Sequence, residues 1–290
     1  MRKRTSIRRF KVVGKPKLLR YSRNGNPVIR IRWRWNGGPV RQITREIFKI
    51  LQPGDTNPKL RKGLVDVMTV GLSLSPAKSG GIGNVCTDAS EGCEEACLDL
   101  TGMGFVYQMI HVWRALKTAA FYLARKWFVR TLRAELRVWQ NKADALGFVL
   151  AVRLNVLSDI LWETVAPEIF TEFDRAEFYD YTKHPGRSGQ LLPNYWVTFS
   201  RSETNHKKCL RELSRGNNVT VVFDTGKTSK AHQKNPEFTL PATWQGFPVI
   251  SGDESDLRYE DSRGGYVVGL TLKAVSNQQR DTAVASGFAV

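Results

Sequence analysis

Residues 64–74 read LVDVMTVGLSL and residues 148–154 read FVLAVRL. Both are short apolar runs rich in β-branched residues, the pattern of a strand buried on both faces. Between them Met109, Val112, Trp113, Leu116, Ala119, Ala120, Leu123, Ala124, Trp127 and Leu132 recur at three- and four-residue steps. Arg and Lys fill the gaps, which predicts one long amphipathic helix. Further apolar runs lie at 176–181, 195–199, 219–223, 247–250 and 266–272, with helical patterns at 160–173 and 203–215. Repeated strand-then-helix units build a parallel sheet. The expected fold is α/β: a partial or irregular TIM-type barrel of parallel strands over residues 63–275. Residues 276–290 read as a loose C-terminal tail.

Upstream the composition changes. Residues 1–62 carry 19 Lys and Arg against only Glu46 and Asp55, whereas the rest of the chain carries 25 charges of each sign. The whole net charge of +17 therefore sits on the first segment. Such asymmetry points to a polyanion, most often nucleic acid, as partner. Within it, residues 27–35 read PVIRIRWRW, with Ile29, Ile31, Trp33 and Trp35 on one strand face and Arg30, Arg32 and Arg34 on the other. Asn24-Gly25-Asn26 and Asn36-Gly37-Gly38 bracket it as turn signals, so a small basic antiparallel β element is expected. The arginines are the candidate nucleic-acid contacts, and the tryptophans are expected in the core. Asn57-Pro58 with Lys59, Arg61 and Lys62 marks the boundary to the second unit.

The 290 residues suffice for a sizeable core, and 41% apolar with 24% charged residues excludes a mainly disordered chain. No run of 18 apolar residues exists, so no membrane span is expected, and no apolar segment follows the basic start to make a secretory signal. Four cysteines in such a chain are no disulfide framework, and a reducing cytoplasm is expected.

Three of these cysteines, Cys86, Cys93 and Cys97, share the loop GNVCTDASEGCEEACL. It follows the first strand of the parallel unit, so it lies at the carboxyl edge of the sheet, where α/β proteins place their sites. Cys93 and Cys97 are one helical turn apart, and Gly80, Gly81 and Gly83 are expected to let Cys86 fold back toward them. Three convergent thiolates read as metal ligands. Zinc would take a fourth from Cys209 or from His111, His184, His206 or His232. A [4Fe–4S] cluster accepts three cysteines and keeps one iron open. Cys209, in the helical HKKCLREL, reads as a buried structural thiol.

Charged and polar residues follow the successive apolar runs: Arg153, Asn155 and Asp159, then Asp180 and Lys183, then Ser200 and Arg201, then Asp224, then Asp253 and Asp256. A barrel would focus them on one mouth. Its acids suit the amine of an amino-acid-like cofactor or a divalent metal, and Arg153, Lys183 and Arg201 suit a carboxylate or phosphate. Asn155, Asp159, Asp180, Lys183, Ser200, Arg201 and Asp253 are the candidate cofactor-binding residues.

The ordered set LSLSPAKSGGIGNVCTDASEGCEEACLDLTG, AVRLNVLSDILWE, FYDYTKHPGR, VTFSRSE, VVFDTG and VISGDESDLRYED resembles the phage gene product 88 family over roughly residues 64–273. The family's layout is similar to radical S-adenosylmethionine (SAM) proteins and to three-cysteine-motif phage proteins. The resemblance implies a cytoplasmic protein of the infected host with an iron–sulfur cluster and SAM as cofactors. The spacing here, C-x6-C-x3-C, departs from the C-x3-C-x2-C of radical-SAM enzymes. Asn155, Ser158 and Asp159 stand where their Gly-Gly-Glu motif would bind the SAM amine.

Three functions remain open on the sequence: a metal-cluster enzyme acting on nucleic acid held by the basic segment, a non-catalytic nucleic-acid-binding protein with a zinc staple, and a host-directed phage factor. No GxxxxGK[ST] loop, HExxH pair or Ser/His/Asp nucleophile pattern is present, which argues against hydrolase and NTPase classes.

Overall fold

The computed structural model describes residues 10–54, 66–101, 107–228 and 238–290. The boundary motif at 57–62, the basic residues 2–9 and His232 lie outside the described residues.

The basic segment forms a four-stranded antiparallel sheet of β1 (Phe10–Val12), β2 (Lys17–Tyr21), β3 (Pro27–Trp35) and β4 (Arg41–Glu46). Strand β3 is its spine: β1 and β2 share one flank and β4 covers the other. Alternation along β3 is as the sequence implies. Ile29, Ile31 and Trp33 are buried, Arg32 is exposed, and Arg30 and Arg34 are partly exposed.

The second sheet holds ten strands. Its parallel centre runs in the order β6 (Val67–Gly71), β7 (Val149–Arg153), β8 (Glu177–Thr182), β10 (Tyr195–Ser200), β11 (Val219–Phe223), β14 (Val267–Thr271) and β13 (Phe247–Ser251). Every apolar run read from the sequence became one of these strands. Short antiparallel strands complete the sheet: β5 (Gln52–Pro53) on β6, β12 (Thr243–Trp244) on β13 and β9 (Gly189–Leu192) on β10.

The expected α/β architecture with a mostly parallel sheet is present, and the sheet of the described residues is open rather than a closed barrel. Among the described residues no pairing joins the two ends of the sheet, and β5 and β12 already occupy the outer edges of β6 and β13. The last two parallel strands are also transposed, with β14 inside β13.

The long helical pattern divides. The short α1 (Glu91–Glu95) belongs to the cysteine loop, and α2 (Gln108–Leu123) and α3 (Arg125–Leu146) follow. The break falls at Ala124, whose φ and ψ of −136° and 47° leave the helical region. There the Phe121 carbonyl accepts the Arg125 Nε–H at 2.8 Å, and the guanidinium lies over the Phe121 ring. Apolar periodicity continues through the break, so the sequence pattern did not reveal it. The 160–173 pattern likewise splits at Pro167 into α4 (Trp162–Val165) and α5 (Glu168–Glu172). The 203–215 stretch is α6 (His206–Ser214).

The expected loose tail is instead ordered. Helix α7 (Asn277–Ala285) is capped by Ser276, whose Oγ accepts the Gln279 amide. Beyond it Phe288 and Ala289 are buried, Val290 N–H donates to the Val222 carbonyl, and Asp224 N–H donates to that of Val290. The polar start of this segment hid a tail anchored both by main-chain bonds and by a small apolar cluster of Ala283, Phe288 and Ala289 with Leu272 and Ala274.

One core joins both sheets. Phe10, Val12, Ile29, Ile31 and Trp33 pack in the same cluster as Leu116 and Ala119 of α2, Phe128 and Leu132 of α3, and Val70, Leu150 and Val152 of the parallel sheet. Helix α2 is thus covered on one side by the basic sheet. The basic sheet and the large sheet therefore share buried side chains across the charge boundary at residue 62.

Candidate functional site: the cysteine loop and the strand-end residues

The cysteine loop leaves β6 and is hooked at three places. Ser75 N–H donates to Thr118 Oγ1 of α2 at 2.9 Å. The Val85 amide donates to the Ala77 carbonyl, and the Asp159 amide beyond β7 donates to that of Val85. The glycines here are not slack. Gly83, at φ 60°, lies against the Tyr122 ring, where an added Cβ would come within 2.1 Å of ring carbon. The loop is therefore shaped by close packing.

Cys86 is partly buried. Its sulfur accepts the Ala77 amide at 3.3 Å and faces the Leu157 carbonyl at 3.4 Å. Burial above all, with smaller contributions from Cys97 and Cys93, pushes the thiol up to about 12 against the Ala77 hydrogen bond. The three cysteines are thus electrostatic neighbours at the carboxyl edge of the sheet. They do not share a helix face, however: α1 ends at Glu95, and Cys97 opens a separate 3-10 turn at Leu98–Leu100. Among the described residues no group of three or more His, Cys, Asp or Glu side chains is arranged to hold a metal ion. What fits a thiophilic centre is the donor chemistry, three thiols from one loop.

Helix α1 has only five residues and is held by its surroundings. Ser90 Oγ accepts the Cys93 amide and donates to Glu203 Oε2 at 2.7 Å, while Glu203 Oε1 accepts the Gly92 amide at 2.8 Å. A Cβ on Gly92 would come within 2.8 Å of Glu203 Oε2 and Ser286 Oγ, so a larger residue there would displace the side chains that hold the turn. Glu203 is legible in the sequence as one of the polar residues after the fourth parallel strand, but not its role, because its partners are more than a hundred residues away.

Lys183 stands beside the thiols. Its Nζ donates to Ser200 Oγ at 3.0 Å and hydrogen-bonds Cys93. Its amide donates to Asp159 Oδ2 at 2.7 Å, and Thr182 Oγ1 donates to Oδ1. Burial works against the ammonium, yet Cys93 and Asp159 hold its pKa above the ordinary value. Cys86, Cys93, Asp159, Lys183 and Ser200 are therefore neighbours at this edge of the sheet.

The other strand-end residues go elsewhere. Asn155 and Asp180 spend themselves on each other. Asp180 accepts the Asn155 amide at 2.7 Å, its side-chain amide at 3.2 Å and the Tyr195 hydroxyl at 3.0 Å. Asn155 Oδ1 accepts Ser158, Ile160 and Trp162, and its Nδ2 also donates to the Ile160 carbonyl. Both are buried, and this knot braces the strand ends instead of lining a mouth. Arg201 donates to the carbonyls of Gly287 and Phe288 in the tail, at 2.8 and 2.9 Å. Asp253 accepts Thr271 and Lys273, locking β13 to β14. Arg153 pairs with Asp256 at 2.5 Å and lies over the Tyr181 ring. Cys209 is fully buried, with its sulfur on Asn205 Oδ1, as expected of a structural thiol.

His184 contacts Asp88 through Nδ1 at 2.7 Å and Thr87 through Nε2 at 3.2 Å. The Thr87 and Asp88 oxygens are themselves only 3.2 Å apart. Two oxygens that close cannot lie on the two diverging nitrogen axes of one imidazole, so this is no nucleophile–base–orienter relay.

No helix of the described residues is long and apolar enough to cross a membrane. Comparison with curated proteins and with solved structures finds no match. The family model described as Gene product 88 matches residues 49–288, spanning the large sheet, the cysteine loop and the ordered tail, and the chain belongs to the gene product 88 family.

Proposed function

We propose that the protein is a cysteine-ligated metalloprotein whose centre, a [4Fe–4S] cluster, is held by Cys86, Cys93 and Cys97 and serves a radical-SAM-like reaction. What supports this reading is the donor chemistry of three thiols in one loop, two of which, Cys86 and Cys93, lie beside the Lys183 ammonium at the carboxyl edge of a parallel sheet. A cluster on three thiolates leaves one iron open to a cofactor or substrate. The chain's own residues then divide the remaining work. Lys183 and Ser200, already hydrogen-bonded, are the groups to receive the carboxylate of an amino-acid-like cofactor such as SAM. Asp159 fixes the Lys183 main chain, and Glu203 fixes the turn that carries Cys93.

Anaerobic reconstitution with iron and sulfide tests the reading. Broad visible absorption with bound iron and sulfide is expected for the native chain, and its loss is expected in Cys93→Ser, because loop ordering and metal binding are coupled. A colourless protein carrying one zinc would replace the cluster by a structural staple. Undiminished iron in Cys93→Ser would overturn the ligand set.

A further inference from the structure

The antiparallel sheet buries one face and leaves the other open. Along β3 the open face carries Arg30, Arg32 and Arg34. Register places Lys11 of β1 directly opposite Arg34, and Lys17 of β2 directly opposite Arg30. Like charges facing each other across a ladder destabilise a sheet. Here two such rungs stand on one face, and no carboxylate pairs with any of these five side chains among the described residues. Among the described residues Arg30 reaches the neutral Thr44 hydroxyl, at 3.5 Å. The shielded Nε of Arg34 has no acceptor. The nearest acid on the sheet, Glu46, is occupied by Ser22 and Asn26 at 2.8 Å each. The fold retains a repulsion that a bound polyanion would relieve.

Spacing narrows the kind of polyanion. Alternate residues of a strand lie about 6.7 Å apart, an interval on the order of the separation between neighbouring phosphates of one nucleic-acid strand. Three arginines at that interval match a regularly spaced row of single negative charges. The aromatic residues do not join them. Trp33 is buried and Trp35 packs against His111, so neither presents a ring for base stacking. What is offered is charge without base readout.

We propose that this open face, formed by Lys11, Lys17, Arg30, Arg32 and Arg34, docks the sugar–phosphate backbone of a nucleic acid without regard to sequence. The proposal is independent of the metal reading. Its test is fluorescence anisotropy of the full chain with a labelled oligothymidylate of about 20 nucleotides, titrated between about 50 and 200 mM salt. Arg30→Gln/Arg32→Gln/Arg34→Gln is expected to lower the log–log salt slope by about 2, since each single-strand phosphate contact contributes about 0.7. A charge-matched control, Lys207→Gln/Lys208→Gln/Arg211→Gln on the exposed side of α6, is expected to keep the native slope. The triple arginine variant should melt no lower than the native protein, because it removes like-charge rungs. If it does melt lower, the exposed pair Lys11→Gln/Lys17→Gln gives the same reading with a slope loss of about 1.4. An unchanged slope in a folded variant, an equal loss in the α6 control, or displacement of the oligonucleotide by polyglutamate at equal charge would each overturn the proposal. The last outcome would assign the face to an acidic protein.

Discussion

Two buried ionisable side chains set opposite demands on pH. Burial pushes the Asp180 carboxyl up to about 7, against the pull of the Asn155 amide, Arg153 and Arg187. Burial pushes the Lys117 ammonium down to about 7, with Arg114 adding to the shift and Glu135 opposing it. An unfolded Asp titrates near 3.9 and an unfolded Lys near 10.4. Between about pH 4 and 7 the folded chain holds the extra proton on Asp180, so stability falls as pH rises through that window. Between about pH 7 and 10 the unfolded chain holds the extra proton on Lys117, so stability rises through that one. Each limb has a maximal slope of about 1.4 kcal/mol per pH unit. Urea midpoints across this range should flatten on the acid side in Asp180→Asn and on the alkaline side in Lys117→Met. An acid limb that persists unchanged in Asp180→Asn would show that another group carries it.

At the level of elements, α1 is the piece least able to stand alone. Its five residues are held by Ser90 and by the Glu203 carboxylate at its start. Hydrogen bonds to a charged acceptor are worth about 1.5–3 kcal/mol each, more than so short a helix can supply. Glu203→Ala should therefore free Cys93, read as faster alkylation at Cys93 with Cys209 still protected; unchanged Cys93 labelling would mean that packing against α7 alone holds the turn. The same contrast explains what the sequence made legible. The parallel strands were readable because burial on both faces writes continuous apolar runs. The exchange of β13 and β14, the break at Ala124 and the anchoring of the tail were not, since they depend on pairings between distant residues. At the site, residue types placed Cys86, Cys93, Cys97 and Lys183 at one sheet edge. They did not tell that Asn155 and Asp180 would exhaust each other, because that depends on how two neighbouring strand ends are staggered.

On the scale of the whole molecule, the charge boundary and the packing boundary do not coincide. Net charge stops at residue 62, but the core runs through from Phe10 to Val197. Further ties cross the same line. Glu135 of α3 accepts the amides of Ile50 and Leu51, Lys117 of α2 donates to the Ile50 carbonyl, and Trp127 Nε1 donates to Asn26. Full burial of Phe10, Ile29, Ile31 and Trp33 contributes about 1.5–3 kcal/mol apiece, and a typical domain has only about 5–15 kcal/mol in all. The basic sheet is thus part of what keeps the rest folded. Cys209 offers a probe, because it is fully buried in a separate cluster beneath α6 and touches nothing of the basic sheet. Ile31→Ala should cost about 2–5 kcal/mol. In one cooperative unit that loss reaches Cys209 undiminished, and its alkylation in mild denaturant should quicken roughly thirtyfold or more, at about 1.4 kcal/mol per tenfold. Melting should stay a single transition, shifted downward. If Cys209 keeps its native protection while the β3 tryptophans become exposed, the basic sheet unfolds separately and the shared core does not couple the two sheets.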